Sequence, residues 1–281
     1  MAVKNNLIRA FVLGALLIFV MVLGAQTIGL FRTGFDTTSV LQQFNFYIGP
    51  GISFLIGIMF LIAAELMLTK NDKYGNSVCF NSPGEAPSVF KLSNLQLVLG
   101  SILLFGILGL ILVSTGMQSF TGIGSLEQQF TVVDELVYSS ALVPASENLG
   151  AAFALAFFLT MWRYVCKKTN IDKGTFIVVS VLLGLVVVAG FGYTWHTLRY
   201  ADSDVRMNTV LGFWAAGGLL TVLTGSFIPF WIMHITNNLF YGLGQYFDSD
   251  IVLGSVGAVL AVVAILLIFV SFRGGKKRGK R

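Results

Sequence analysis

Hydrophobic positions in this chain fall in long unbroken runs, not at the 3.6-residue or two-residue spacing of half-buried elements. A helix crossing the hydrocarbon of a bilayer needs roughly 17–25 predominantly apolar residues in succession. Eight stretches meet that need: 10–31, 46–69, 95–117, 136–162, 175–198, 209–227, 228–244 and 251–272. The sixth and seventh run together through Gly225, Ser226 and Pro229. Their joint length exceeds one ordinary span, and Gly with Pro permits a tight turn there. The polar stretch 70–94 holds two prolines and several turn formers, and reads as a connector. The pattern therefore predicts an all-α fold, a polytopic membrane helix bundle of about eight transmembrane helices. It forms a single domain over 1–272, followed by a basic tail at 273–281.

Composition supports this class and excludes a soluble domain. Hydrophobic types make up 56% of the 281 residues and charged types 11%, whereas soluble domains carry about 25% charged residues. The first apolar run is too long for a signal peptide and lacks a small-residue cleavage site, so it reads as a retained helix. Most of the net charge of +5 sits in the tail RGGKKRGKR. A basic tail after an apolar helix fits an anionic inner leaflet. Membrane lipids are thus expected partners, and nucleic acid is not. Cys79 and Cys166 lie in different loops, too few for a disulfide framework and without zinc-site spacing.

Orientation follows from basic residues in short loops. With the N-terminus inside, 15 of the 18 lysines and arginines are cytoplasmic, and only Arg32, Arg199 and Arg206 lie outside. Eight spans then leave both termini cytoplasmic, in a plasma membrane of prokaryotic type. Both cysteines face a reducing compartment, and no disulfide is expected.

An ionisable group within a span costs several kcal/mol unless it is partnered, so each is a candidate for function. Four stand out: Glu65, Glu147, His196 and His234, which include both histidines of the protein. Glu65 precedes Lys70 near the inner end of the second span and fits interfacial pairing. Glu147, in VPASENLGAA, is 16 residues before Arg163, about 24 Å along a helix. His196 follows Gly174 by 22 residues, about 33 Å. His234 and Asn238 are four apart in HITNN and project from one helical face. Three spans thus place polar groups at overlapping depth toward the outer side. The bland reading is a satisfied polar knot that glues helices together. The chemical reading is a carboxylate and an imidazole that take a proton from water, with a second imidazole and an amide that donate to a developing oxyanion. Glu147, His196 and His234 could alternatively hold a divalent metal such as zinc, with an open position for water.

At these residues the chain resembles the CAAX-protease and bacteriocin-processing family of intramembrane proteases, which includes the Ras-converting endopeptidases. The family pattern is Glu-Glu-x-x-x-Arg, Phe-x-x-x-His and His-x-x-x-Asn on successive core helices. Here the third motif is intact as His234 to Asn238, and His196 corresponds to the second. The first retains only Glu147, with Asn148 in place of the second Glu and Ala152 in place of Arg. In the second, Gly192 stands four before His196, and Phe191 five before. The likeness covers about 141–241, within a protease-like core of about 136–244.

The resemblance implies hydrolysis of a peptide bond in a membrane-associated protein or peptide. Glu147 and His196 would activate water, and His234 and Asn238 would stabilise the oxyanion. Processing of a cytosolic CAAX terminus needs a chamber open to the cytosol, whereas the charge count puts this chamber toward the outer side. An exported or membrane-embedded substrate accommodates both. Two other classes fit the residues: a non-catalytic scaffold of the same family, and a proton-coupled transporter in which Glu and His relay protons. The absence of paired broken helices in symmetric positions counts against a transporter.

Overall fold

The computed structural model describes residues 92–115, 132, 140, 143–200 and 204–278. The expected first and second spans, Glu65 and Cys79 lie outside these residues. The described part is helical and contains no strand. Its helices are α1 (Asn94–Ser114), α2 (Val143–Thr169), α3 (Lys173–Tyr200), α4 (Asp204–Thr224), α5 (Ile228–Tyr246) and α6 (Ser249–Arg278). Four segments are long and apolar enough to cross a membrane: Asn94–Ser114, Lys173–His196, Met207–Thr224 and Ser249–Phe272. The chain is therefore an integral membrane protein. The remaining helices, α2 and α5, carry Glu147, Asn148 and His234.

Local chemistry sets the helix ends. Ser93 caps α1 in a capping box, in which Gln96 N–H donates to Ser93 Oγ and Ser93 N–H donates to Gln96 Oε1. Pro144 lies in the first turn of α2, where a missing N–H leaves no helical bond unmade. That helix runs on through Arg163, seven residues beyond the expected end. Asn170 stops it with φ 56°, and Ile171 N–H reaches back to Cys166 O at 3.1 Å. Asp172 then caps α3 by accepting from Thr175 N–H at 2.9 Å. Between α4 and α5, Gly225 adopts φ 68° and Thr224 Oγ1 donates to Ser226 O at 3.0 Å. Pro229 follows at the start of α5. The sixth and seventh apolar stretches are thus separate helices, divided at the expected residues.

Small residues bring the helices together. A Cβ on Gly218 of α4 would run into the carbonyl of Gly184 on α3, so these two backbones cross in direct contact. Gly217 makes room for the Phe230 ring of α5, and Gly109 of α1 for Phe240 of α5. Contacts of α3 with α4 pair residues in descending against ascending order (Gly184 with Val222, Gly192 with Trp214), so the two run antiparallel. Trp162 to Phe176 and Glu147 to Trp195 show the same for α2 and α3. Helix α5 is the hub and packs on α1, α2, α4 and α6. The core joins Leu155, Val188, Phe191, Trp195, Trp214 and Phe230.

The outer surfaces are apolar. Leu104, Ile107 and Ile111 on α1, Val178, Leu182 and Val186 on α3, and Val259, Ile265 and Phe272 on α6 are exposed. In water so much exposed apolar surface would drive aggregation. Against lipid tails it is matched to its solvent.

Candidate active site

Helix α2 lies against both α3 and α5, and successive helical residues point about 100° apart. Glu147 and Asn148 are therefore able to face different neighbours. Glu147 faces α3: its Oε1 accepts the indole N–H of Trp195 at 3.0 Å. Asn148 faces α5: its Oδ1 lies 2.6 Å from Nδ1 of His234. The other carboxylate oxygen of Glu147, Oε2, approaches both imidazoles. It is 3.9 Å from Nε2 of His196 and 3.7 Å from Nε2 of His234. Glu147 is 4% exposed and each histidine 6%. Three of the four residues singled out in the sequence thus meet at one oxygen atom, from three separate helices.

Each ring is held on its far side. Nδ1 of His196 is 2.8 Å from the carbonyl of Gly192, one turn earlier. A carbonyl only accepts, so Nδ1 carries the proton and, in the neutral ring, Nε2 presents a lone pair toward Glu147. Aromatic rings enclose the pair. Trp214 of α4 sits 5.6 Å from both imidazoles, at interplanar angles of 58° and 78°. Phe213 meets His234 edge-on at 5.4 Å, and Phe230 stacks on it at 12°. Phe191 stacks on Trp195 at 16° and so braces the donor to Glu147.

The positions at which the sequence differs from the motifs it resembles have specific surroundings in the structure. Gly192 stands where the second motif has Phe, and the Trp214 ring fills the space that a side chain there would need. Asn148 stands where the first motif has its second Glu, and it holds His234. Ala152, in the Arg position, is buried in the apolar core. Asn238, the fourth expected residue, is half-buried one turn beyond His234, and its Oδ1 accepts from Asn237 Nδ2 at 3.0 Å. Asn237 is the more deeply buried of the two.

In the sequence Asn148 stands out only as a departure from the first motif, and Trp195 and Trp214 do not stand out at all. Only the adjacency of Asn148 to Glu147, and of Trp195 to His196, pointed toward them.

The donor set of Glu147, His196 and His234 suits a divalent metal chemically, but it stands wide. Ligands at about 2.0–2.1 Å in a tetrahedron lie roughly 3.3 Å apart, against 3.7 and 3.9 Å here. Among the described residues, no group of three or more His, Cys, Asp or Glu is arranged to hold a metal ion. Oε2 and each ring nitrogen are close enough for one water beside them to hydrogen-bond to both.

No family model, no curated protein and no solved structure matches this chain.

Proposed function

We propose that the protein is an intramembrane endopeptidase that hydrolyses a peptide bond of a membrane-associated protein or peptide. One observation carries the reading: the carboxylate of Glu147 lies within 4 Å of the Nε2 atoms of both histidines, buried among helices α2, α3 and α5. Glu147 and His196 together take a proton from a water molecule held between them, and the water oxygen attacks the scissile carbonyl. His234 and Asn238 then donate to the oxyanion as it develops. The aromatic wall of Trp214, Phe213 and Phe230 keeps bulk water away and strengthens each polar contact inside. The likeness to the CAAX-protease and bacteriocin-processing family supports the same assignment, in a bundle of eight spans with both termini cytoplasmic.

The test is cleavage of a panel of quenched-fluorescent peptides anchored in proteoliposomes. Wild-type protein should cleave at least one of them, and Glu147→Gln should not, while keeping its unfolding temperature. Undiminished cleavage by folded Glu147→Gln would reject the assignment. Because Glu147 Oε2 stands farther from both imidazoles than zinc ligands stand from one another, cleavage should survive dialysis against a chelator. Loss that zinc restores would move the reading to metal-assisted hydrolysis by the same residues.

A polar knot in a non-catalytic scaffold is the second reading. It is favoured by the hydrogen bonds that Trp195, Gly192 and Asn148 make to the outer atoms of all three groups. It predicts that Glu147→Gln lowers stability and that no peptide in the panel is cut.

A further inference from the structure

His196 and His234 look alike in sequence, yet their rings are held by different kinds of partner. Nδ1 of His196 meets a backbone carbonyl, which can only accept. Nδ1 of His234 meets a side-chain amide, which can accept through oxygen or donate through nitrogen. Which end of the amide faces the ring decides where the His234 proton sits. It therefore decides what Nε2 offers to Glu147 at 3.7 Å.

One observation favours the oxygen, and a second removes any gain from reversal. The separation of 2.6 Å lies just below the usual 2.7–3.2 Å range of N–H···O bonds, and nitrogen, the larger atom, fits it less well. The amide nitrogen of Asn148 is buried with no hydrogen-bond partner among the described residues, so a reversed amide would leave its oxygen in that same place. Reversal would gain nothing at the far end and would crowd the near end.

We propose that Asn148 is a positioning residue that holds His234 with its proton on Nδ1, so that the Nε2 facing Glu147 is a proton acceptor at rest. The assignment rests on the protease reading for its consequence in catalysis. A neutral His234 of this form cannot donate to an oxyanion at the outset. It gains that ability during the reaction. The O–H bond of the attacking water breaks and its oxygen bonds to the carbonyl carbon, whose π pair moves onto the carbonyl oxygen. The released proton passes by way of Glu147 to Nε2 of His234. The Nε2–H so formed donates to the new oxyanion. When the C–N bond breaks, that proton leaves with the amine nitrogen. His234 thus acts as proton carrier first and oxyanion donor second. A donor for the first instant must come from elsewhere, for which Asn238 is placed one turn away.

The protein contains only two histidines, so its imidazole spectrum is simple. Full-length protein labelled with 15N-histidine, in nanodiscs, gives two-bond proton–nitrogen patterns that report which ring nitrogen is protonated. His196→Gln assigns the two rings. In the neutral form both rings should carry the proton on Nδ1. Asn148→Asp, which accepts only when ionised, should in that form retain this pattern for His234. Asn148→Leu should abolish it for His234 and leave His196, held by Gly192, unchanged.

A wild-type His234 protonated on Nε2, or a His234 pattern unaltered by Asn148→Leu, overturns the proposal. With a cleavable peptide in hand, Asn148→Leu should lower kcat roughly a hundredfold, as for a misplaced catalytic group, with little change in KM. If the tautomer follows Asn148 but nothing is cleaved, the protease reading fails and the Asn148 assignment stands. If Glu147-dependent cleavage is found with the proton on Nε2, the assignment alone fails.

Discussion

Trp195 donates its indole N–H to Oε1 of Glu147 across a 3.0 Å hydrogen bond, between helices that approach each other antiparallel. This bond occupies one carboxylate oxygen and leaves the other, Oε2, to the two histidines. A buried carboxylate with both oxygens unpartnered would be free to turn, and the distances to Nε2 of His196 and His234 would not be fixed.

Trp195→Phe tests this relationship. Phenylalanine keeps a ring to stack on Phe191 and loses the N–H donor together with one ring of the buried indole. A buried acceptor left without its partner costs about 1–3 kcal/mol. The expected outcome is a lower unfolding temperature together with a fall in kcat. Stability and turnover both equal to wild type would show that the carboxylate is oriented by something else.

Gly192→Ala probes the aromatic wall. The added methyl would enter the Trp214 ring, and Trp214 touches both imidazoles. Overpacking of this kind costs about 1–3 kcal/mol. Gly190, two residues away on the same helix, has open space where its Cβ would be, and alanine there removes the backbone freedom that glycine adds to the unfolded chain. Thermal unfolding in detergent should rank Gly190→Ala at or above wild type and Gly192→Ala below it.

The helices were legible in the sequence because a bilayer demands unbroken apolar runs, and α1, α3, α4 and α6 are such runs. The end of α2 was not. Arg163 looked like a membrane boundary, yet it is buried and the helix continues past it to Cys166 and beyond. Its side chain lies within the bundle, and a linear hydropathy profile does not register which face of a helix is covered.

The convergence of Glu147, His196 and His234 was legible from their common depth, which the helical rise alone supplies. Asn148 was not, because residues adjacent in a helix do not share a face. Its role arises only because α2 sits in the groove between α3 and α5. For the same reason the expected weight on Asn238 is shared. One turn of helix places it near His234, and Asn148 reaches that ring from the opposite helix.

The turn between α2 and α3 offers a pH-dependent test outside the spans. Hydrogen bonds from the Thr175 hydroxyl and N–H to Asp172 hold its carboxyl below the ordinary value of 3.8. A folded-state value below the unfolded one adds stability above the unfolded value, and this stability is lost as the pH falls through the folded value. Asp172→Asn should therefore be slightly less stable than wild type at neutral pH. The difference should shrink as the pH drops below about 4. A difference that is constant across that range would mean the charge of Asp172 contributes nothing to the cap.

In the proposed mechanism Glu147, His196 and His234 work as one unit around a shared water. Residues that act as a unit give non-additive losses when removed together. The decisive measurement is kcat/KM for Glu147→Gln, His196→Gln and His234→Gln, singly and in pairs, on one peptide in proteoliposomes. Each single variant should remove nearly all cleavage, and each pair should be no worse than its poorer member. Losses that multiply across the pairs, or full activity in any one variant, would contradict the account.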